Sequence, residues 1–177
     1  MFWKIFAFEA QNRLRRPLVY VYFFATLIFI TLSFATGSLP VGEKEHINSP
    51  MLIAFAMGWI SMFMMLVTSG IMGMPLYKDI EHNTKDYYLT YPITKAGYFW
   101  GRYFSSLLFV LIISSAVMTG VFLGSKLGPL MHWKDAGNYG PNNFMYYWQP
   151  FLLIAVPNLI FTSSLFYGLV AITRSIK

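Results

Sequence analysis

Few side chains in this sequence could do chemistry, and most are not placed to do it together. There is no cysteine, which removes disulfides and thiolate catalysis. The three histidines, His46, His82 and His132, lie far apart between apolar runs with no HExxH spacing, so no shared metal site is expected. No glycine-rich loop of the kind that cradles nucleotide phosphates is present. Serines within the apolar runs, such as Ser61, Ser114 and Ser163, have no His or Asp at comparable depth. They read as small helix-packing residues. Met57, Met62, Met64, Met65, Met72 and Met74 crowd one run that holds neither His nor Cys, which fits adaptable packing rather than metal capture. What remains is the segment from Tyr77 to Arg102. It carries Lys78, Asp79, Glu81, Lys85, Asp86, Lys95 and Arg102, seven of the chain's twenty acidic and basic residues. Asp79 to Tyr91 can form a short helix on which Glu81 and Lys85 stand at i, i+4 in the favourable order. Pro92 would end it, and Thr94 would cap the helix that follows.

The elements that position this segment are apolar. Hydrophobic residues make up 56% of the 177 residues and charged ones 11%, against about 25% charged in a soluble domain. That is too little polar material to coat a water-soluble fold, and the charges are segregated away from four long runs. The expected fold is all-α: a polytopic membrane helix bundle of four transmembrane helices preceded by an amphipathic interfacial helix, forming a single transmembrane domain over 1–177. The spans are expected at about 18–36, 51–76, 103–124 and 151–172, with a cytoplasmic loop at 77–102 and an extracytoplasmic loop at 125–150. No Asp, Glu, Lys, Arg or His falls inside these spans, although ion-coupled transporters and proton relays usually need them there.

The segment 1–16 would be the interfacial helix. Wound as a helix, Phe2, Trp3, Phe6, Ala7, Ala10 and Leu14 share one side, and Lys4, Glu9, Gln11, Asn12, Arg15 and Arg16 fall mostly on the other, with Ile5 and Phe8 blurring the division. A signal peptide is the competing reading, with Ser33-Phe34-Ala35 as its cleavage site, but its apolar region would be only about 7–15 residues. In the third span Ala116, Gly120 and Gly124 recur every four residues, a stripe of small side chains that admits another helix closely. The aromatics of the 125–150 loop, Trp133, Tyr139, Tyr146, Tyr147 and Trp148, read as an interfacial belt or a short surface helix. Pro157 predicts a kink in the fourth span. Ten Lys and Arg accompany the N-terminal segment, the central segment and the C-terminus, and three (Lys44, Lys126, Lys134) fall on the other side. The positive-inside rule then puts both termini and the central segment in the cytoplasm. The net charge of +6 reflects those loops, and no nucleic-acid partner is expected.

The run Ile80-Glu81-His82-Asn83-Thr84-Lys85-Asp86-Tyr87-Tyr88-Leu89-Thr90-Tyr91-Pro92-Ile93-Thr94, followed by Gly101-Arg102, resembles the cytoplasmic loop of ABC-2 type transporter permeases. Glu81, Thr84, Leu89, Pro92, Ile93, Thr94 and Gly101 match the family pattern in place. Arg102 stands where Lys is usual and Asn83 where Gly is usual. The resemblance implies that this loop is a coupling helix docking on a separate ABC ATPase subunit, with Glu81, Thr84, Lys85, Asp86, Tyr88, Leu89 and Pro92 at the contact. It further implies a second permease copy or half as partner, a bacterial cytoplasmic (inner) membrane location, export as the activity, ATP hydrolysis carried by the other subunit, and no cofactor or metal in this chain. Members usually have six spans, so four imply a part that stops before two more. The overall character is also similar to Bacteroidetes proteins that join such a permease to an M1-type aminopeptidase, although no peptidase residue is present. The alternative from another class is a non-transporting four-helix scaffold that recruits a cytoplasmic partner through the 77–102 loop.

Overall fold

The computed structural model describes residues 2–37, 46–81, 94–132 and 138–173; at 75, 76 and 78–81 it describes the backbone alone. The elements are α1 (Phe2–Leu14), α2 (Pro17–Ala35), α3 (Pro50–Glu81), α4 (Lys95–Leu130), α5 (Met145–Pro150), a π-helical turn (Phe151–Ala155) and α6 (Val156–Thr173). Among the described residues there is no strand. Four stretches are long and apolar enough to cross a membrane: Pro17–Ala35, Pro50–Met74, Lys95–Leu130 and Met145–Thr173. The fold is therefore an all-α membrane-type helix bundle.

The helix ends follow local chemistry. Pro17 opens α2 where its missing N–H costs nothing. Gly37 closes it at φ 62°, a left-handed conformation that glycine adopts without strain. Ser49 caps α3 by accepting the Leu52 N–H at 3.3 Å. Three boundaries differ from the sequence expectation. α3 does not stop at residue 76 but continues to Glu81, so residues 79–81 belong to it and not to a separate short helix. α4 begins eight residues before Tyr103 and runs six past Gly124, because nothing in Lys95–Arg102 or Ser125–Leu130 breaks a helix until Pro129 and the turn at His132 (φ 51°). The fourth span starts at Met145, so Tyr146, Tyr147 and Trp148 are helical and not part of a loop.

The last helix also resolves its prolines in an unexpected way. Between Pro150 and Pro157 the backbone widens to π geometry, with the Val156 N–H donating to the Phe151 carbonyl five residues back. Pro157 has no N–H to return to the preceding turn. The disturbance that the sequence places at Pro157 thus spreads over the turn before it.

The chain forms two compact units. The first comprises Met1–Val19, Met64–Leu111 and Leu159–Lys177, and the second Tyr20–Phe63 and Ile112–Asn158. The core of the first unit is Met72, Tyr103, Leu107, Val110, Leu159, Tyr167 and Val170. In the second unit Ile30, Phe34, Ile53, Met57, Ile113, Val121 and Tyr147 are buried. α4 is the most enclosed helix in both. Outward positions are large and apolar, including Phe29 (70% exposed), Phe63 (65%) and Leu66 (74%). A water-soluble fold would not leave such a surface bare, whereas lipid accepts it.

Candidate functional site

The first unit assembles its polar groups where α1 meets the opening turns of α4. Thr94 caps α4, accepting the Gly97 N–H at 3.2 Å, as its place before the helix predicts. Four residues apart, Gly97 and Gly101 present bare backbone to α1. A Cβ on Gly101 would lie 3.0 Å from Ile5 Cγ2 and 3.4 Å from the Phe2 carbonyl oxygen, and one on Gly97 would lie 3.8 Å from the Phe2 nitrogen. The α1 face turned to this surface runs Phe2, Ile5, Phe6, Glu9, Arg13, one side of a 3.6-residue period. Phe2 also meets Phe104 edge-on, with ring centres 6.0 Å apart.

Phe2, Phe6 and Ala10 turn inward and Lys4, Gln11, Asn12, Arg15 and Arg16 outward, as the sequence leads one to expect, but Trp3, Ala7, Leu14 and Glu9 change sides. Trp3 and Phe8 are 73% and 60% exposed, while Glu9 is buried. The reason is a charge partner. Glu9 Oε1 lies 3.1 Å from Arg102 Nη2, and Glu9 Oε2 lies 4.0 Å from Arg13 Nε. Arg13 Nη2 donates to Ser106 Oγ at 2.7 Å, and Ser106 Oγ donates to the Arg102 carbonyl at 2.8 Å. The two guanidinium groups also rest on rings, Arg102 over Tyr98 at 4.7 Å and Arg13 over Phe109 at 5.9 Å. Arg102 is itself buried and not, as the sequence places it, in a solvated loop. Burial pushes the Arg13 pKa down to about 10, with Glu9 opposing that shift and Arg16 and Arg102 adding to it. Arg13 therefore stays charged at neutral pH, and the cluster holds two positive groups against one negative.

α6 closes the other side of the same α4 turns. Tyr167 is stacked edge-on to Phe99 and Tyr103 with ring centres 4.9 and 5.3 Å away, and its hydroxyl donates to the Phe99 carbonyl at 2.9 Å. The Tyr103 and Ser164 hydroxyls bond at 2.7 Å.

The sequence-derived coupling residues Thr84, Lys85, Asp86, Tyr88, Leu89 and Pro92 lie outside the described residues. Glu81 is the last residue of α3, described by its backbone alone. Ala116, Gly120 and Gly124 belong to the second unit, where they face α2. Ala116 is fully buried. A Cβ on Gly120 would sit 3.0 Å from Ile30 Cβ and 3.2 Å from the Leu27 carbonyl. One on Gly124 would sit 2.6 Å from Phe34 Cβ and 2.7 Å from the Thr31 carbonyl. The second unit also knots its connections. Ile47 donates to the Asn138 carbonyl at 2.9 Å. Asn48 both accepts the Gly140 N–H at 2.7 Å and donates to the Gly140 carbonyl at 2.8 Å. The Tyr139 hydroxyl reaches the Phe34 and Ala35 carbonyls that end α2, and the Tyr147 hydroxyl donates to Asn142. Tyr147 and Tyr139 thus serve packing and capping and not an interfacial belt. Within the apolar stretch, Asn158 Nδ2 donates to Ser61 Oγ at 2.8 Å, and Ser61 Oγ donates to the Gly58 carbonyl at 2.7 Å.

Sequence reasoning passed over Glu9, Arg102 and Asn158. The signal for Glu9 was present: it is the sole acid before Glu43 and sits in register with Phe2, Ile5 and Phe6. The Gly97–Gly101 spacing, the same small-residue pattern seen at Gly120 and Gly124, pointed to its receptor. Among the described residues no group of His, Cys, Asp and Glu could hold a metal ion. No protein-family model, curated protein or solved structure matches this chain.

Proposed function

We propose that the chain is a membrane-spanning permease subunit, or part of one, of an ATP-driven ABC-2 type exporter, lying in a bacterial cytoplasmic membrane with both described ends of the bundle on the cytoplasmic side. The segment between Glu81 and Lys95 passes on the stroke of a separate ATPase that carries the hydrolysis. One observation supports this reading above the others. Of the residues matching the permease loop pattern, Glu81 ends one long apolar helix, α3, Thr94 caps the next, α4, which contains Gly101, and Thr84, Leu89, Pro92 and Ile93 fall in the sequence between them. A displacement of that segment is therefore delivered straight to two membrane-crossing helices. The four apolar stretches and the ten-to-three distribution of Lys and Arg support the membrane placement and the orientation.

The test is co-purification of the full-length protein from its native membrane with any bound ATPase, followed by hydrolysis assays on two variants. Glu81→Lys reverses a charge at the contact, and Tyr88→Ala with Leu89→Ala removes its apolar anchor. Both variants are expected to insert in normal amounts and to lose the bound ATPase and its stimulated turnover. Retention of both by both variants would remove the loop from the coupling role. Capture of a different cytoplasmic protein with no linked hydrolysis would favour the scaffold reading.

A further inference from the structure

The buried Glu9–Arg102 pair goes beyond what a surface-lying helix needs. A helix that merely rests in the headgroup layer keeps its charges in water. Here the sole acid of α1 is turned inward onto α4, at 3.1 Å from Arg102 and with both side chains nearly enclosed. Desolvation makes such a pair costly to build and costlier to break, because separation strands a charge. The bare Gly101 also lets α1 approach so closely that no side chain would fit between α4 and Ile5 or the Phe2 carbonyl. Arg13 repeats the arrangement one turn later through Ser106.

We propose that Glu9 and Arg102 are positioning residues that lock α1 to the first turns of α4, so that α1 and this part of α4 move as one body when the 82–94 segment is displaced. This rests on the reading of that segment as the ATPase contact. Arg102 stands two turns after Thr94, so a push entering α4 at its cap reaches the ion pair before it reaches the apolar stretch. α1 then carries the same displacement to its outer face, where Trp3, Phe8 and Leu14 are exposed. Both residues act through the placement of α1.

The absence of native cysteine allows a direct test in the full chain with its co-purified ATPase. Ile5→Cys with Gly101→Cys places two thiols at a site where the Gly101 Cβ position is 3.1 Å from Ile5 Cβ. A small relaxation brings this to the roughly 3.5–4.5 Å of a disulfide. Docking alone is read first, as oxidative crosslinking yield, which Glu9→Gln should lower and Arg102→Lys should spare. Coupling is read second. Glu9→Gln should leave the ATPase bound but cut its stimulated turnover by about fivefold or more, and oxidising the cysteine pair in the Glu9→Gln background should restore most of that loss. The oxidised pair with Glu9 intact should turn over as fast as its own reduced form, since the two helices need not part. Full stimulation in Glu9→Gln would overturn the proposal. So would failure of the crosslink to rescue, or arrest of the Glu9-containing protein on oxidation, which would mean that the helices must slide. Failure of the unsubstituted protein to bind any ATPase would overturn the loop reading, and the coupling role with it, while the crosslinking yields would still report whether Glu9 holds α1.

Discussion

At the scale of single residues, the governing fact is that a charge in an apolar setting is tolerated only beside its partner. Glu9 and Arg102 satisfy each other, and Tyr98 and Ser106 take up further parts of the cluster. Removing one partner is far more damaging than the pair's net worth. Glu9→Ala and Arg102→Leu should each cost about 3–5 kcal/mol, and the double variant clearly less than the sum. Chemical unfolding in detergent measures this, and strict additivity would show that the two side chains do not interact. Arg13 has a defined pH consequence. Folding lowers its pKa from the usual guanidinium range to about 10, so from there up to the free guanidinium's range the unfolded chain holds more protons than the folded one. Its contribution therefore makes the fold more stable, not less, as pH rises through that window. Replacing Arg13 with Gln should flatten that part of the stability profile.

At the scale of elements, α4 is a helix with two glycine-containing faces, each shaped to a neighbour within its own unit. Gly97 and Gly101 receive α1, and Gly120 and Gly124 receive α2. The tightness at each site ranks the substitutions. Gly124→Ala would push a methyl group against backbone at Thr31 and should cost more than Gly120→Ala, where Ile30 can yield. Gly120→Leu should lose about 1–3 kcal/mol by overpacking. Gly58 and Gly70 on α3 face open space, so alanine there should be neutral or stabilise by up to about 1 kcal/mol through helix propensity. Thermal melts of the four alanine variants check the order, and equal loss at Gly58 and Gly124 would refute it. The Asn158–Ser61 bond should be worth about 0.6–2 kcal/mol, the range for hydrogen bonds between membrane helices. An Asn158→Leu variant with unchanged stability would show it to be dispensable.

At the scale of the whole molecule, composition alone sufficed for class. A chain that is 56% hydrophobic and 11% charged with four uncharged runs has few options other than helices in lipid, since only helices and closed barrels satisfy every backbone group there. Orientation is testable on exposed sites of the cysteine-free chain. A cysteine at Met131 should react with an impermeant reagent from outside and one at Lys95 should not; the reverse pattern would invert the orientation read from the Lys and Arg counts. Span number, the small-residue stripe, the Thr94 cap and the disturbance near Pro157 were legible because each depends on residues close in sequence: hydropathy over about 20 positions, spacing of four, one side chain and the third N–H beyond it, a proline without a donor. What local pattern could not decide was how α1 is rotated: Phe2 and Phe6 face α4 as composition suggests, but Glu9 is taken in beside them and Trp3 is left outside. The outcome was set by Arg102, 93 residues further along the chain, and by the two glycines that let α1 approach it. Once Arg102 is enclosed, Glu9 has to be taken in beside it, because either charge alone would be stranded in an apolar setting. That pairing exists only once distant segments are brought together, so the sequence determined that there would be a bundle of apolar helices with a polar loop, and the tertiary structure decided which charges would be taken inside it.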